Sequence, residues 1–195
     1  MFKLKRSPEI HDIGEITRGR DEDFTLVVGP MCSRKSAYLI ENYYGNEDVE
    51  AFKPQLDNRD GANIHSRAYP KLNIPCTMIS NPMDMTKSKE KIILIDEYQF
   101  FQVDLLKDAV KELRKQHKII IMAGLNLDAN RRQWASYTAM SELCDREVQL
   151  KATCDVCGKH TAKYTKKTSG SVDKTVEIEG NGTRYSPRCS LCWEK

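Results

Sequence analysis

The segment from Thr25 to Ser36 matches, at all but one position, a loop that binds nucleotide phosphates between a strand and a helix. The pattern G-x-x-x-x-G-K-[ST] leaves an apolar strand and surrounds phosphate oxygens with backbone N–H groups. Gly29, Lys35 and Ser36 are in register with it, but Arg34 occupies the second glycine position. A long cationic side chain is poorly compatible with a backbone that must curl around phosphates. The segment indicates nucleotide-handling ancestry and leaves open whether turnover is retained.

Size and composition restrict the class of protein. With 195 residues, the chain can form one well-buried core and a small additional module. Its 39% hydrophobic and 30% charged residues are typical of a globular chain. The longest apolar runs, Ile92–Ile95 and Ile119–Met122, are too short to span a bilayer. The N-terminus has no apolar signal-peptide core, so we expect a cytoplasmic protein without membrane association.

The charges are nearly balanced, at a net +3, although lysines are frequent near the C-terminus. No aromatic pattern is interleaved with these lysines, so a solvated basic face is favoured over nucleic-acid binding. Nucleic acid is therefore not an expected partner.

Short β-branched runs alternate with helix-compatible segments, which predicts an α/β fold with a P-loop NTPase-like parallel sheet flanked by helices. The expected strands are 24–28, 49–52, 92–95 and 119–123, with another within 73–79. The expected helices are 35–44, with Gly45 as C-cap, and the amphipathic segment 103–116. We divide the chain into a charged N-terminal arm (1–22), a nucleotide-binding domain (23–150) and a metal-binding subdomain (151–195).

Two C-x-x-C pairs near the C-terminus predict a metal site. The four sulfur ligands come from Cys154, Cys157, Cys189 and Cys192. Two such knuckles complete a tetrahedral site, zinc fits it best, and four protein ligands favour a structural role. The remaining cysteines are expected to be small buried hydrophobic residues: Cys32, Cys76 and Cys144.

The phosphate loop, defined here as Gly29 to Ser36, is accompanied by two carboxylates that follow the apolar strand 92–95. Lys35 would neutralise the β and γ phosphates, and the Ser36 hydroxyl would bind Mg²⁺. Asp96 stands where a carboxylate holds Mg²⁺ at the end of a strand. Glu97 can face a different ligand and is a candidate general base.

Several motifs together resemble the type II, zinc-containing thymidine kinases. They are Gly29-Pro-Met-Cys-Ser-Arg-Lys-Ser36, Lys53-Pro54 with Asp57-Asn-Arg59, Asp96-Glu-Tyr-Gln-Phe-Phe101, Ala123-Gly-Leu125 and the four cysteines. Order and spacing match from about Phe24 to the C-terminus. The segment from Gly180 to Cys192 resembles the lasso loop with which that family holds the thymine base.

This resemblance implies ATP-dependent phosphorylation of deoxythymidine at the 5′-hydroxyl, a zinc lasso subdomain and a homotetramer. Glu97 would take the 5′-hydroxyl proton. The residues implied for ATP and Mg²⁺ are Gly29, Ser33, Arg34, Lys35, Ser36, Asp57, Arg59, Asp96 and Gln99. The residues implied for the nucleoside are Phe100, Asn126, Ala129 and Tyr185.

The sequence also departs from the family pattern. Asn126 replaces an aspartate, and Ala129 replaces an aromatic residue whose stacking is worth roughly 1–3 kcal/mol. Trp134 either substitutes for that aromatic ring or, as we favour, packs in the core. In the lasso, Glu179 and Asn181 replace aliphatic and glycine residues.

Arg34 leaves two functions open. Its guanidinium either pairs with Asp96 or Glu97 and plugs the phosphate site, or it points outward or contacts phosphate itself. With the site open, the chain is a thymidine kinase. With the site plugged, it is an inactive pseudoenzyme of the same fold that serves as a structural or regulatory protein partner.

Overall fold

The computed structural model describes residues 24–169 and 184–195. The N-terminal arm and the lasso positions Glu179 and Asn181 lie outside these residues. The strands, in chain order, are β1 (Phe24–Val28), β2 (Val49–Pro54), β3 (Asn63–His65), β4 (Asn73–Pro75), β5 (Thr77–Ile79), β6 (Ile92–Ile95), β7 (Ile119–Gly124), β8 (Arg146–Gln149), β9 (Tyr164–Ser169) and β10 (Arg184–Arg188). The helices are α1 (Lys35–Gly45), α2 (Val103–Lys115) and α3 (Ala135–Ser141).

Six strands form one parallel sheet in the order β5-β2-β6-β7-β1-β8. Strands β1 and β6 are buried along their whole length, which explains why β6 is a continuous aliphatic run and β1 is apolar except at Thr25. Val28 lies beside Gly124, and Ile95 lies beside Met122. The carboxyl ends of these strands therefore meet at one edge, where ligands bind in open α/β sheets.

Helices cover both faces of the sheet, which confirms the expected fold class. On one face, α2 buries the stripe Leu106, Ala109, Val110 and Leu113 in a core that also includes Met140 of α3. On the other face, α1 packs against β3 and β4, which form an antiparallel hairpin. Residues 66–72 connect the two strands of this hairpin.

One local prediction was incomplete and another was wrong. The segment 73–79 holds two strands, in different sheets, where one was expected. The Cys76 N–H still bonds the Ala62 carbonyl beside β3, and the chain then joins β2 in the main sheet as β5. Gly45 does not cap α1: it is the last helical residue, and the extended Asn46 follows.

The C-terminal residues form a smaller unit around the strands β9 and β10, which pair antiparallel. Its apolar centre consists of Ala152, Cys154, Ala162, Cys189 and Cys192. No helix in the described ranges is long and apolar enough to cross a membrane.

Candidate active site and metal centre

The loops that leave β1, β2, β6 and β7 surround one cavity of about 690 Å³. Of the residues that the sequence proposes for a site, the structure brings twelve to its wall: Ser33, Arg34, Lys35, Ser36, Asp57, Arg59, Asp96, Glu97, Gln99, Phe100, Ala129 and Tyr185. Gly29 and Asn126 are not part of the wall. Gly29 lies beneath the loop, where a Cβ would come within 2.6 Å of the Leu150 carbonyl oxygen.

The phosphate loop leads from β1 into the N-terminus of α1, where free backbone N–H groups favour an anion. The Lys35 ammonium is buried and donates to the Pro30 carbonyl at 2.7 Å. Burial lowers the pKa of this ammonium, while the charges of Glu97 and Asp96 oppose the shift. Ser33 Oγ is buried and has no hydrogen-bond partner among the described residues.

The carboxylates after β6 lie directly beside the loop. The Ser36 hydroxyl donates to Asp96 Oδ2 at 3.1 Å, which joins the two halves of the expected Mg²⁺ site. Burial raises the pKa of the Asp96 carboxyl to about 7, and the neighbouring Glu97 charge acts in the same direction. A cation bound here would favour the ionised carboxylate.

Glu97 occupies the centre of a polar network. Arg59 donates to one of its carboxylate oxygens at 2.8 Å, and Gln99 donates to the other at 2.5 Å. The same Arg59 donates to Asp57 at 2.6 Å. Because a carboxylate has about four lone-pair sites, Glu97 retains acceptor capacity for a further donor.

Arg34 does not form the expected ion pair. Within residues 24–169 and 184–195, no ion pair joins it to Asp96 or Glu97, and Glu97 pairs with Arg59 instead. The Arg34 guanidinium carbon lies 6.0 Å from the centre of the Tyr69 ring, in the β3–β4 connection. The plugged geometry is therefore wrong. The Arg34 side chain lies against Tyr69 and does not pair with the carboxylates.

The other end of the cavity is apolar and aromatic. Phe100 and Trp134 meet edge to face, with ring centres 6.1 Å apart, and both line the wall with Ala129. The sequence favours Trp134 as a packing residue, and the structure adds that it lines the cavity. Asn126 is buried, and its backbone carbonyl accepts a bond from the Trp134 N–H.

Several wall residues carry no sequence motif that marks them as functional. Ser66, Arg67 and Ala68 come from the β3–β4 connection, His65 ends β3, and Thr165 comes from β9. Lys53, a buried residue that bonds the Asn63 carbonyl, also lines the wall and belongs to a quoted motif.

The four paired cysteines converge, with their sulfur atoms all within 4.8 Å of one another. A tetrahedral site with metal–sulfur bonds of about 2.3 Å needs sulfur separations of this order. Burial alone would raise the pKa of the Cys154 thiol, but backbone N–H groups of Cys157, Cys189 and Val156 lower it to about 6. The cluster can therefore hold a metal ion such as zinc.

The three remaining cysteines differ in exposure. Cys76 is buried, as expected. Cys144 is half-buried and Cys32 is exposed, so the expectation is wrong for these two. Cys32 is exposed because the phosphate loop faces the open cavity.

Comparisons with known proteins agree on one family. A family model described as thymidine kinase matches residues 22–193. The thymidine kinase of Pseudothermotoga lettingae is 31% identical over 177 residues, which cover 88% of this chain and 94% of that protein. The thymidine kinase of Mycoplasma mobile is 30% identical, covering 86% of this chain and 84% of that protein. The thymidine kinase of Amsacta moorei entomopoxvirus is also 30% identical, covering 86% and 96%.

Proposed function

Because the chain belongs to the thymidine kinase family, we propose that it transfers the γ-phosphoryl group of ATP to the 5′-hydroxyl of deoxythymidine. The observation that carries the proposal is the contact between Ser36 and Asp96, with Glu97 next in the chain. This contact supports the proposal, because it brings the phosphate loop beside the carboxylate that would hold Mg²⁺ and beside the residue that would accept the proton.

Each side chain has a defined part in the proposed reaction. Glu97 accepts the 5′-hydroxyl proton while the 5′-oxygen attacks the γ-phosphorus and the bond to the ADP oxygen breaks. Lys35 leaves the Pro30 carbonyl and neutralises the phosphates. Ser36 and Asp96 would hold Mg²⁺, which supplies charge neutralisation for the polyphosphate.

Arg59 has two roles in this proposal. Its bonds to Asp57 and Glu97 orient the proton acceptor. Its positive charge also lies on the cavity wall beside Glu97, where it would stabilise negative charge in the transition state.

The aromatic end of the cavity suits the nucleoside. Ala129 provides no ring for stacking, and we propose that Phe100 and Trp134 supply the aromatic surface instead. Tyr185, on β10, lines the same cavity.

A kinase assay with ATP, Mg²⁺ and deoxythymidine tests the function. We expect product from the wild-type chain and a loss of at least about 10²-fold in Glu97→Gln, the usual contribution of a general base. Glu112→Gln is the matched control, because Glu112 lies on the exposed face of α2, outside the cavity. Wild-type product no higher than that of Glu97→Gln rules the proposal out.

Structural zinc, a homotetramer and a cytoplasmic location belong to the same proposal and rest on the resemblance and the cysteine cluster. The pseudoenzyme alternative required Arg34 to occupy the phosphate site, and Arg34 lies against Tyr69 instead. The pseudoenzyme alternative predicts that millimolar ATP–Mg²⁺ does not raise the unfolding temperature, whereas a kinase that binds ATP is stabilised.

A further inference from the structure

Arg34 occupies a position at which glycine is expected, and its backbone is left-handed, with φ of 68°. Its charge is close enough to the phosphate loop to compete with a nucleotide. An unrestrained guanidinium there would be attracted to the Asp96 and Glu97 carboxylates, because charge-assisted pairs are the strong hydrogen bonds in proteins. Something must therefore hold it elsewhere if the loop is to accept polyphosphate.

Tyr69 is the residue against which Arg34 rests. The Tyr69 side chain is buried. The Tyr69 N–H bonds the Ser66 carbonyl, and the Tyr69 carbonyl accepts a bond from the Leu72 N–H, so the backbone of Tyr69 is held by two turns. The ring presents its face to the guanidinium at a distance typical of a cation–π contact.

Glu41 completes the arrangement from the side of α1. The Tyr69 hydroxyl donates to Glu41 Oε1 in a short hydrogen bond. The second carboxylate oxygen, Oε2, is buried and has no hydrogen-bond partner among the described residues. Burial raises the pKa of Glu41, whereas the hydrogen bond from Tyr69 and the positive charge of Arg34 lower it. The positive charge of Arg34 thus favours the ionised form of Glu41 across the tyrosine.

We propose that Glu41 and Tyr69 are positioning residues that keep the Arg34 guanidinium outside the phosphate cradle. A loop with arginine at a glycine position then still admits the polyphosphate of a nucleotide. This inference rests on the proposed function, and it explains how the site stays open despite the departure at Arg34.

The test is a double-mutant cycle on the full chain with its metal bound. Tyr69→Phe removes the hydroxyl and keeps the ring, and Glu41→Gln keeps the volume and removes the charge. Each is made in the wild type and in Arg34→Gly, and the affinity for ATP–Mg²⁺ is measured by calorimetry. We expect about tenfold weaker binding in the wild-type background, the scale of one hydrogen bond to a charged group. In the Arg34→Gly background we expect the same substitutions to weaken ATP–Mg²⁺ binding by less than about twofold. No guanidinium remains there that could move into the phosphate cradle.

Tyr44→Phe is the matched control. Its hydroxyl also connects α1 to the β3–β4 hairpin, by a 2.9 Å bond to the Asn73 carbonyl, and its ring pairs with Tyr43. This variant should bind ATP as the wild type does. Thermal unfolding of every variant verifies that it folds, and where one of the two substitutions prevents folding, the other completes the cycle.

The outcomes separate the two proposals. Equal losses in both backgrounds, or tighter ATP binding after Tyr69→Phe and Glu41→Gln, overturn the positioning role. If the losses of ATP affinity depend on Arg34 as expected but deoxythymidine is not phosphorylated, the proposed function alone is overturned. A wild-type chain that binds no ATP overturns both.

Discussion

Two charged residues at the cavity have left-handed backbone conformations: Arg34, with φ of 68°, and Glu97, with φ of 52°. Such positions cost a non-glycine residue on the order of 1–3 kcal/mol and persist where the surroundings determine them. At Glu97 the reversal directs the carboxylate to Arg59 and Gln99, while its own N–H bonds Asp96 at 3.0 Å. Such strain is thus present at two residues of the proposed site, as it is at positions outside the site such as Asp48 and His117.

At the residue scale, we expect two free cysteines to react differently with an alkylating reagent at pH 8. Cys32 is exposed on the cavity wall and should be modified quickly. Cys76 is buried, and burial raises the pKa of its thiol to about 11, so little of the reactive thiolate forms. Peptide mass spectrometry of the metal-loaded protein measures both rates.

ATP–Mg²⁺ should slow the alkylation of Cys32, because the nucleotide would cover the phosphate loop. Cys144 serves as the control, since it is half-buried, lies outside the cavity wall and should react at the same rate with or without nucleotide. Similar rates for Cys32 and Cys76, or no protection of Cys32, would contradict this prediction.

At the scale of elements, the site depends on how closely the end of β7 packs on the turn that follows Glu97. A Cβ on Gly124 would lie 2.3 Å from Gln99 Oε1 and 2.6 Å from ring carbons of Tyr98. Gln99 also accepts a bond from the Leu125 N–H, and the Tyr98 hydroxyl donates to the Leu125 carbonyl. This contact connects the loop after β7 to the proposed proton acceptor.

Gly124→Ala should therefore destabilise the fold by roughly 1–3 kcal/mol, the usual cost of overpacking a closed site, because the buried Tyr98 ring cannot move aside. Denaturant unfolding measures the difference. Gly45→Ala is the control: no atom lies within 4 Å of its Cβ, and alanine at this helical position should stabilise by up to about 1 kcal/mol. Equal unfolding free energies for the two variants would refute the packing argument.

At the scale of the whole molecule, the C-terminal residues contact the main cavity. The Met31 N–H in the phosphate loop donates to Thr165 at 2.9 Å. The guanidinium carbon of Arg131, in the loop after β7, lies 4.9 Å from the Trp193 ring centre and 5.5 Å from that of Tyr164. Trp193 directly follows Cys192, so this contact connects the four-cysteine cluster to the loop after β7.

Loss of the metal should therefore affect both stability and nucleoside binding. The apolar centre of this unit is small, and small metal-dependent units lose their structure when the metal is removed. In Cys192→Ser we expect zinc content to fall from about one ion per chain to a small fraction, with a lower unfolding temperature. Weaker deoxythymidine binding should accompany the loss, because Arg131 loses its aromatic support.

Metal analysis and thermal unfolding measure the first two effects. Fluorescence of Trp193 in a Trp134→Phe background reports the contact with Arg131 directly. Cys144→Ser provides the control, since Cys144 is not part of the four-cysteine cluster and should retain full zinc content. Undiminished zinc in Cys192→Ser would disprove the assignment.

Local patterns in the sequence were sufficient for the centre of the main sheet and its two longest helices. The buried strands β1, β6 and β7 follow from apolar runs, and α2 follows from its apolar stripe. The phosphate loop, the Asp96-Glu97 pair and the four cysteines were also visible, because each is a contiguous motif whose spacing carries its chemistry. The sheet then brings these motifs together, since parallel strands end at one edge.

The partners of the charged side chains were decided only by the tertiary structure. Sequence left open whether Arg34 pairs with Asp96 or Glu97 or points away from them, whereas the fold pairs Glu97 with Arg59 and places Arg34 on Tyr69. The β3–β4 connection, which supplies Tyr69 and a cavity wall, carried no periodic signal. A hydrophobic period is a local property of the chain, but the partner of a charge depends on which distant segments the fold brings within a few ångströms.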